Sequence, residues 1–172
     1  MIPVTTADTV EHGHTETVQI HFDDLDPMGI VHNSKYAILL ERSLTSYWVE
    51  RGWTADVATS AFGDVFMAVR EFSVTYHAPI TGLARVKVFF EIERLGRTSA
   101  VYGFRIESGD GSTLHAEGRR VVVNLDPVTF RPTPISDELR AACKTLIAPA
   151  AAASASTTVA ADDEALPVLA AA

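Results

Sequence analysis

The sequence predicts an α+β domain in which an antiparallel sheet of about five strands packs against one long helix. Three observations carry this reading: short alternating runs rich in Val, Phe, Tyr, Thr and Ile, a single broad apolar stripe at helical spacing, and connections between the later runs too short for a helical crossover. With 172 residues, 47% of them apolar, the chain is sized for one core.

The first strand spans Thr15 to Phe22, where Val18, Ile20 and Phe22 alternate with Thr17, Gln19 and His21. It ends in Asp23-Asp24-Leu25-Asp26-Pro27-Met28-Gly29, a cluster of turn formers that bends the chain and exposes carboxylates. Asn33 and Ser34 are good N-caps for a helix from about Ser34 to Arg51, stopped by Gly52. Its stripe of Tyr36, Leu40, Leu44, Tyr47 and Trp48, widened by Ile38 and Leu39, suits burial against a sheet. Strands follow at Val65–His77, Ala84–Leu95, Ser99–Ser108 and Thr113–Leu125. Their short links at Pro79–Gly82, Leu95–Thr98 and Gly109–Gly111 predict an antiparallel four-strand meander. A short helix over Asp137–Ile147 closes the unit. The expected organisation is a flexible N-terminus (1–15), one domain (16–148) and a disordered Ala-rich tail (149–172) with too few large apolar groups to pack.

Composition narrows the function classes. Fourteen Lys and Arg against 22 acidic residues, a net charge of −8, disfavour a sequence-independent grip on nucleic acid. No run approaches the ~18 apolar residues of a membrane span, and the N-terminus lacks the form of a secretory signal. The lone Cys143 allows no intrachain disulfide and fits a reducing cytoplasm. His12 and His14 have no identifiable third ligand, so no metal is predicted.

The segment Phe22-Asp23-Asp24-Leu25-Asp26-Pro27-Met28-Gly29-Ile30-Val31-His32-Asn33-Ser34-Lys35-Tyr36 resembles the aromatic-x-Asp-x-Asp-x-x-Gly signature, with a Tyr seven residues on, of the 4-hydroxybenzoyl-CoA thioesterase family. Tyr76-His77-Ala78-Pro79-Ile80-Thr81-Gly82 is similar to that family's bend between strands, and Arg94-Leu95-Gly96-Arg97-Thr98-Ser99 to its next hairpin. The likeness covers roughly residues 16 to 140 and departs from many members at Leu83, where an Asp is common, and from some at Asn33, where a His stands. It implies a hotdog fold, a sheet wrapped around a central helix, and hydrolysis of an acyl-CoA or acyl-carrier-protein thioester. A non-catalytic acyl-CoA-binding domain is the alternative from another class.

The resemblance implies that Asp26 is the catalytic carboxylate and that the backbone of Asn33 donates to the oxyanion. A carboxylate serves as general base on water or as nucleophile, and backbone N–H groups at a helix start stabilise growing negative charge. Each residue also has a purely structural reading. Asp26 before Pro27 is a common turn initiator, Asn33 a plain N-cap, and His32 a hydrogen-bonded neighbour rather than a proton carrier. Asp24 suits a hydrogen bond within the loop, Asp23 a solvated position, and Glu41 an ion pair. Arg94 and Arg97 match a phosphate-contacting hairpin of the family, against the alternative of plain solvent exposure; Arg119 and Arg120 must face opposite sides of a strand. No cofactor is implied, since coenzyme A is part of the substrate. Unpaired sheet edges and the family pattern imply a homodimer or homotetramer, with Phe62, Phe66 and Met67 of one subunit lining the pocket of Asp26 in another.

Overall fold

In a computed structural model, residues 12–147 are described; the N-terminal stretch up to residue 11 and the Ala-rich segment from residue 148 lie outside the described residues. Strands β1 (His14–Gln19), β2 (Met67–Tyr76), β3 (Arg85–Leu95), β4 (Ser99–Ser108) and β5 (Leu114–Asn124) form one antiparallel sheet. Helix α1 (Lys35–Glu50) lies between β1 and β2 in the chain, and α2 (Asp137–Ala142) follows β5. Among the described residues no helix is long and apolar enough to cross a membrane.

The core follows from period-2 burial. Val86, Val88, Phe90 and Ile92 of β3 are all fully buried, and Ala100, Tyr102, Phe104 and Ile106 of β4 continue the same inner layer. Against it α1 presents Tyr36, Leu39, Leu40, Ser43, Leu44 and Tyr47. Each large side chain so buried contributes about 1.5–3 kcal/mol. Ile38, predicted to widen the stripe, is 40% exposed because its position turns it off the buried face.

The sheet order is β1-β3-β4-β5-β2, which corrects the predicted meander. Every pairing is antiparallel, but β2 hydrogen-bonds β5 at the far edge and β1 takes the place beside β3. Segment 77–84 is therefore a crossing from one side of the sheet to the other. Its length allows this: eight residues at up to ~3.3 Å each exceed the ~14 Å spanned by three strand spacings. A short link shows that strands run antiparallel without showing that they are neighbours.

β1 also stops earlier than predicted. Phe22–Asp24 forms a 3-10 turn and Phe22 is 84% exposed, because the Asp24 carboxylate takes the His21 N–H at 3.0 Å and turns the chain out of the sheet.

Gly118 on β5 marks the tightest approach in the sheet. A Cβ there would collide with the Ser73 carbonyl oxygen and meet the Phe104 ring at 3.0 Å, where Phe104 stacks on Phe72. Because backbone cannot yield as a flexible side chain does, Gly118→Ala should destabilise the protein by about 2 kcal/mol or more, read as a lowered midpoint in urea unfolding.

Candidate active site

The loop between β1 and α1 is built around two aspartates with different tasks. Asp24 is fully buried and lies against the helix: Arg42 donates to it twice, at 2.9 and 3.2 Å, and the Lys35 ammonium stands 3.7 Å away. Burial alone pushes its carboxyl up. The Arg42 hydrogen bonds, the His21 N–H and the charges of Arg42 and Lys35 outweigh that and hold it below its ordinary value. The sequence suggested a hydrogen bond within the loop for Asp24; Arg42, eighteen residues away, was not foreseen. Asp23 is exposed, as expected.

Asp26 is half-buried and organises the bend itself. Its Oδ1 accepts from the N–H of Met28 at 2.8 Å and of Ile30 at 3.3 Å, while its backbone bonds Ile30 and Gly29 at 2.8 and 2.9 Å. Pro27 occupies the second position of this turn, and Gly29 leaves it at φ 74, a left-handed conformation that favours glycine. Oδ2 has no partner among the described residues, so one face of the carboxylate stays open.

Ser34 stands at the N-cap position, as predicted, but makes no capping hydrogen bond through its side chain; its N–H donates to His32 Nδ1 at 3.3 Å and its Oγ lies 2.9 Å from the same nitrogen. The His32 carbonyl takes the Lys35 N–H at 2.9 Å. Along residues 31–36 the N–H groups of Val31, His32, Ser34, Lys35 and Tyr36 all have acceptors, whereas that of Asn33 has none among the described residues. The Asn33 carbonyl is held by the Tyr76 hydroxyl at 3.2 Å, and Tyr76 sits edge-on to the buried Tyr36 ring at 4.9 Å. Burial, with the nearby Tyr76, pushes the Tyr36 phenol up.

The crossing segment closes this arrangement. Ile80 O accepts from Val31 N, Gly82 N donates to Gly29 O at 3.0 Å, and Ile30 bridges Thr81. Between the two segments lies a cleft of about 510 Å³ lined by Asp26, His32, Asn33, Tyr36 and Tyr76, with His77–Pro79 opposite. Its lining brings together Asp26, with an oxygen unpartnered among the described residues, Asn33, with an N–H that has no acceptor among them, and apolar walls, the kinds of group that acyl transfer to water needs.

Other expected site residues lie elsewhere in the chain. Arg94 and Arg97 are exposed at the β3–β4 hairpin, at the opposite end of β3 from the cleft and on the order of 30 Å along the strand. Phe62 is buried against Trp48, Phe66 is 43% exposed, and Met67 lines a second cavity. Glu41 pairs with Arg120, and Arg119 with Glu93 at 2.7 Å. His12 contacts Glu91 at 2.7 Å and His14 contacts Glu16 at 3.2 Å. Tyr76 and His77 entered the sequence reading only as part of a bend; their place in the cleft follows from the crossing of the sheet.

The sequence model of the thioesterase superfamily matches residues 28–115, just over half of the chain. The chain belongs to that superfamily. The acyl-CoA thioester hydrolase YbgC of Escherichia coli is 26% identical over 115 residues, covering 67% of this chain and 84% of that protein. A solved structure of a protein from Pseudomonas aeruginosa strain PAO1 aligns with a TM-score of 0.68 at 27% identity, covering 79% of this chain and 92% of the other. A thioesterase from Thermus thermophilus, solved with coenzyme A and Zn, aligns at 0.62 with 25% identity, covering 76% and 96%. The architecture is the hotdog fold of these thioesterases.

Asp24 anchors the loop that carries Asp26, so Asp24→Asn should cost about 2–4 kcal/mol by leaving Arg42 poorly paired. The folded carboxyl titrates below its unfolded value near 3.8. Its contribution is therefore present above about pH 4 and lost as pH falls through the folded value, and the gap between parent and variant should close on acidification in pH-dependent unfolding.

Proposed function

We propose that this thioester hydrolase cleaves acyl-CoA esters to a free carboxylic acid and coenzyme A, with Asp26 as base or nucleophile and the Asn33 N–H as oxyanion donor. The observation that carries the reading is that one cleft is lined by Asp26, whose Oδ2 has no partner among the described residues, and by Asn33, whose N–H has no acceptor among them, in a stretch whose other donors are bonded. Such a donor is already oriented before substrate arrives, so it stabilises the growing negative charge without reorganisation. The stretch Asp26-Pro27-Met28-Gly29-Ile30-Val31 supports a place in the 4-hydroxybenzoyl-CoA branch of the superfamily. His32 orients the helix start in this reading and takes no part in proton transfer. Coenzyme A is part of the substrate, and no resident cofactor enters the scheme. The buried free thiol of Cys143 accords with a cytoplasmic setting.

As base, Asp26 Oδ2 takes a proton from water as the oxygen attacks the thioester carbon. As nucleophile, it attacks directly, the thiolate leaves, and water hydrolyses the anhydride. Asp26→Asn is the clean variant because its amide oxygen still accepts from Met28 and Ile30. We expect thiol release from acyl-CoA to fall at least ~100-fold in kcat with the melting temperature unchanged. Undiminished turnover would sink the assignment, and cleavage of acylated carrier protein alone would change the substrate. A single turnover in ¹⁸O-water tests the nucleophilic route: label in the Asp26 carboxylate arises when water opens the anhydride at the Asp26 carbon, and the general-base route gives it no source.

We further propose a homodimer or homotetramer. Both outer strands, β1 and β2, have one edge unpaired among the described residues, and pairing such an edge removes an aggregation hazard. The far placement of Arg94 and Arg97 means that, if they hold the nucleotide phosphates, they do so from a partner subunit. Replacing both by Ala should raise KM for acyl-CoA about three- to tenfold and leave kcat, and the KM of an acyl-pantetheine lacking the nucleotide, unchanged.

A further inference from the structure

The wall of the cleft opposite Asp26 contains an ionisable pair with no role so far. His77 follows the last residue of β2, and its N–H donates to the His115 carbonyl at 2.8 Å, which continues the β2–β5 pairing past Tyr76. Its ring Nε2 stands 3.0 Å from Glu117 Oε1 on β5. Nδ1 of the same ring has no partner among the described residues. His77 lines the cleft with Asp26 and Asn33, and its neighbour Tyr76 holds the Asn33 carbonyl. As a plain cross-strand contact between solvent-accessible groups, the pair would add ~1 kcal/mol or less to stability.

The hydrogen bond to Glu117 fixes how the ring handles protons. A carboxylate only accepts, so the Nε2 facing it carries a hydrogen, and a second proton is gained or given at Nδ1. The other ionisable residues of the cleft are engaged differently. His32 Nδ1 accepts the Ser34 N–H, and a proton there would set donor against donor. The Tyr76 hydroxyl donates to the Asn33 carbonyl, and burial pushes the Tyr36 phenol up. Asp26 belongs to the attacking side on either route.

Cleavage of a thioester needs one more proton movement. When the C–S bond breaks, its electron pair goes to a sulfur whose thiol, like that of cysteine, titrates at about 8.5, so the departing thiolate takes up a proton near neutral pH. With the carbonyl oxygen at the Asn33 N–H and attack from the Asp26 side, a sulfur that leaves away from the attacking oxygen moves towards residues 77–79.

We propose that His77 is a catalytic acid whose Nδ1 gives a proton to the leaving sulfur, with Glu117 as the positioning residue that holds the ring. The proposal rests on the thioester-hydrolase reading above and holds for either route of attack. The ring enters the step protonated on both nitrogens. As the C–S pair moves to sulfur, sulfur takes the Nδ1 proton, and the neutral ring regains one from solvent. On the base route Asp26 takes a proton from water and returns it to solvent; on the nucleophile route water later opens the anhydride. Thioester and water become acid and thiol on both.

Butanoyl-CoA and benzoyl-CoA, each beside the para-nitrothiophenyl ester of the same acid, test this assignment, because the nitro-aryl thiolate is a weak base that leaves without a proton. His77→Gln should lower the single-turnover rate of thiol release from the CoA esters about 100-fold, and that from the aryl esters less than about threefold. Glu117→Gln should slow the CoA esters by a smaller factor and likewise spare the aryl esters. Both variants should keep the parent's melting temperature. Equal losses on the two classes of ester would make the pair structural, and no loss on the CoA esters would leave the sulfur to be protonated by water; either result overturns the proposal. Asp26→Asn separates this assignment from the reading beneath it, since that variant should lose activity on both classes. Full activity of Asp26→Asn together with leaving-group dependence in His77→Gln would remove Asp26 and keep His77. A parent that releases thiol from none of the four esters fails as a hydrolase, and the proposed acid falls with it.

Discussion

The ion pair between Asp24 and Arg42 is the contact on which the cleft depends. It joins the turn leaving β1 to the third turn of α1 and lets a carboxylate sit with no exposure at all, because two guanidinium hydrogen bonds and a backbone N–H replace its water. With Asp24 held against the helix, the next residues have little freedom. Asp26 then shapes its own short turn through Oδ1 and presents the other oxygen outwards.

A second constraint comes from the opposite side. Because β2 pairs at the far edge beside β5, the chain must cross the sheet between residues 77 and 84 to begin β3. The crossing lies over the helix start, bonds Val31 and Gly29, and brings Tyr76 to the Asn33 carbonyl. The cleft is thus made by two segments far apart in sequence, each held by backbone hydrogen bonds to the other. The Asn33 N–H has no acceptor among the described residues, while His32 supplies the acceptors for the next two residues.

The elements themselves were largely legible from local pattern. β3 and β4 have the bounds that alternation and turn residues suggested to within one residue, and α1 differs by one residue at each end. Alternation reports burial of one face, and the runs are long enough for that signal to dominate. What failed was everything requiring knowledge of neighbours. The meander was wrong because loop length constrains direction more than adjacency. Phe22 was assigned to the strand because its alternation continues past the point where Asp24 captures the His21 N–H. Ser34 does stand at the N-cap, as residue type suggested, but its hydroxyl meets the His32 ring, whose position depends on the preceding turn, instead of a helix N–H.

The amino-acid sequence by itself determined the α+β class, the bent loop that bears Asp26 and the likeness to the thioesterases, since these depend on periodicity, turn chemistry and a spaced motif within one stretch of chain. Tertiary structure alone decided that β2 lies at the far edge, that residues 76–79 face Asp26, and that Arg94 and Arg97 lie far from it in the same chain. It also decided that Arg120, one of two adjacent arginines, is the one turned inwards to Glu41. The reason is physical: which strand edges pair and which side chains share a cavity is settled by long-range packing, and a local window of sequence contains no record of the partner.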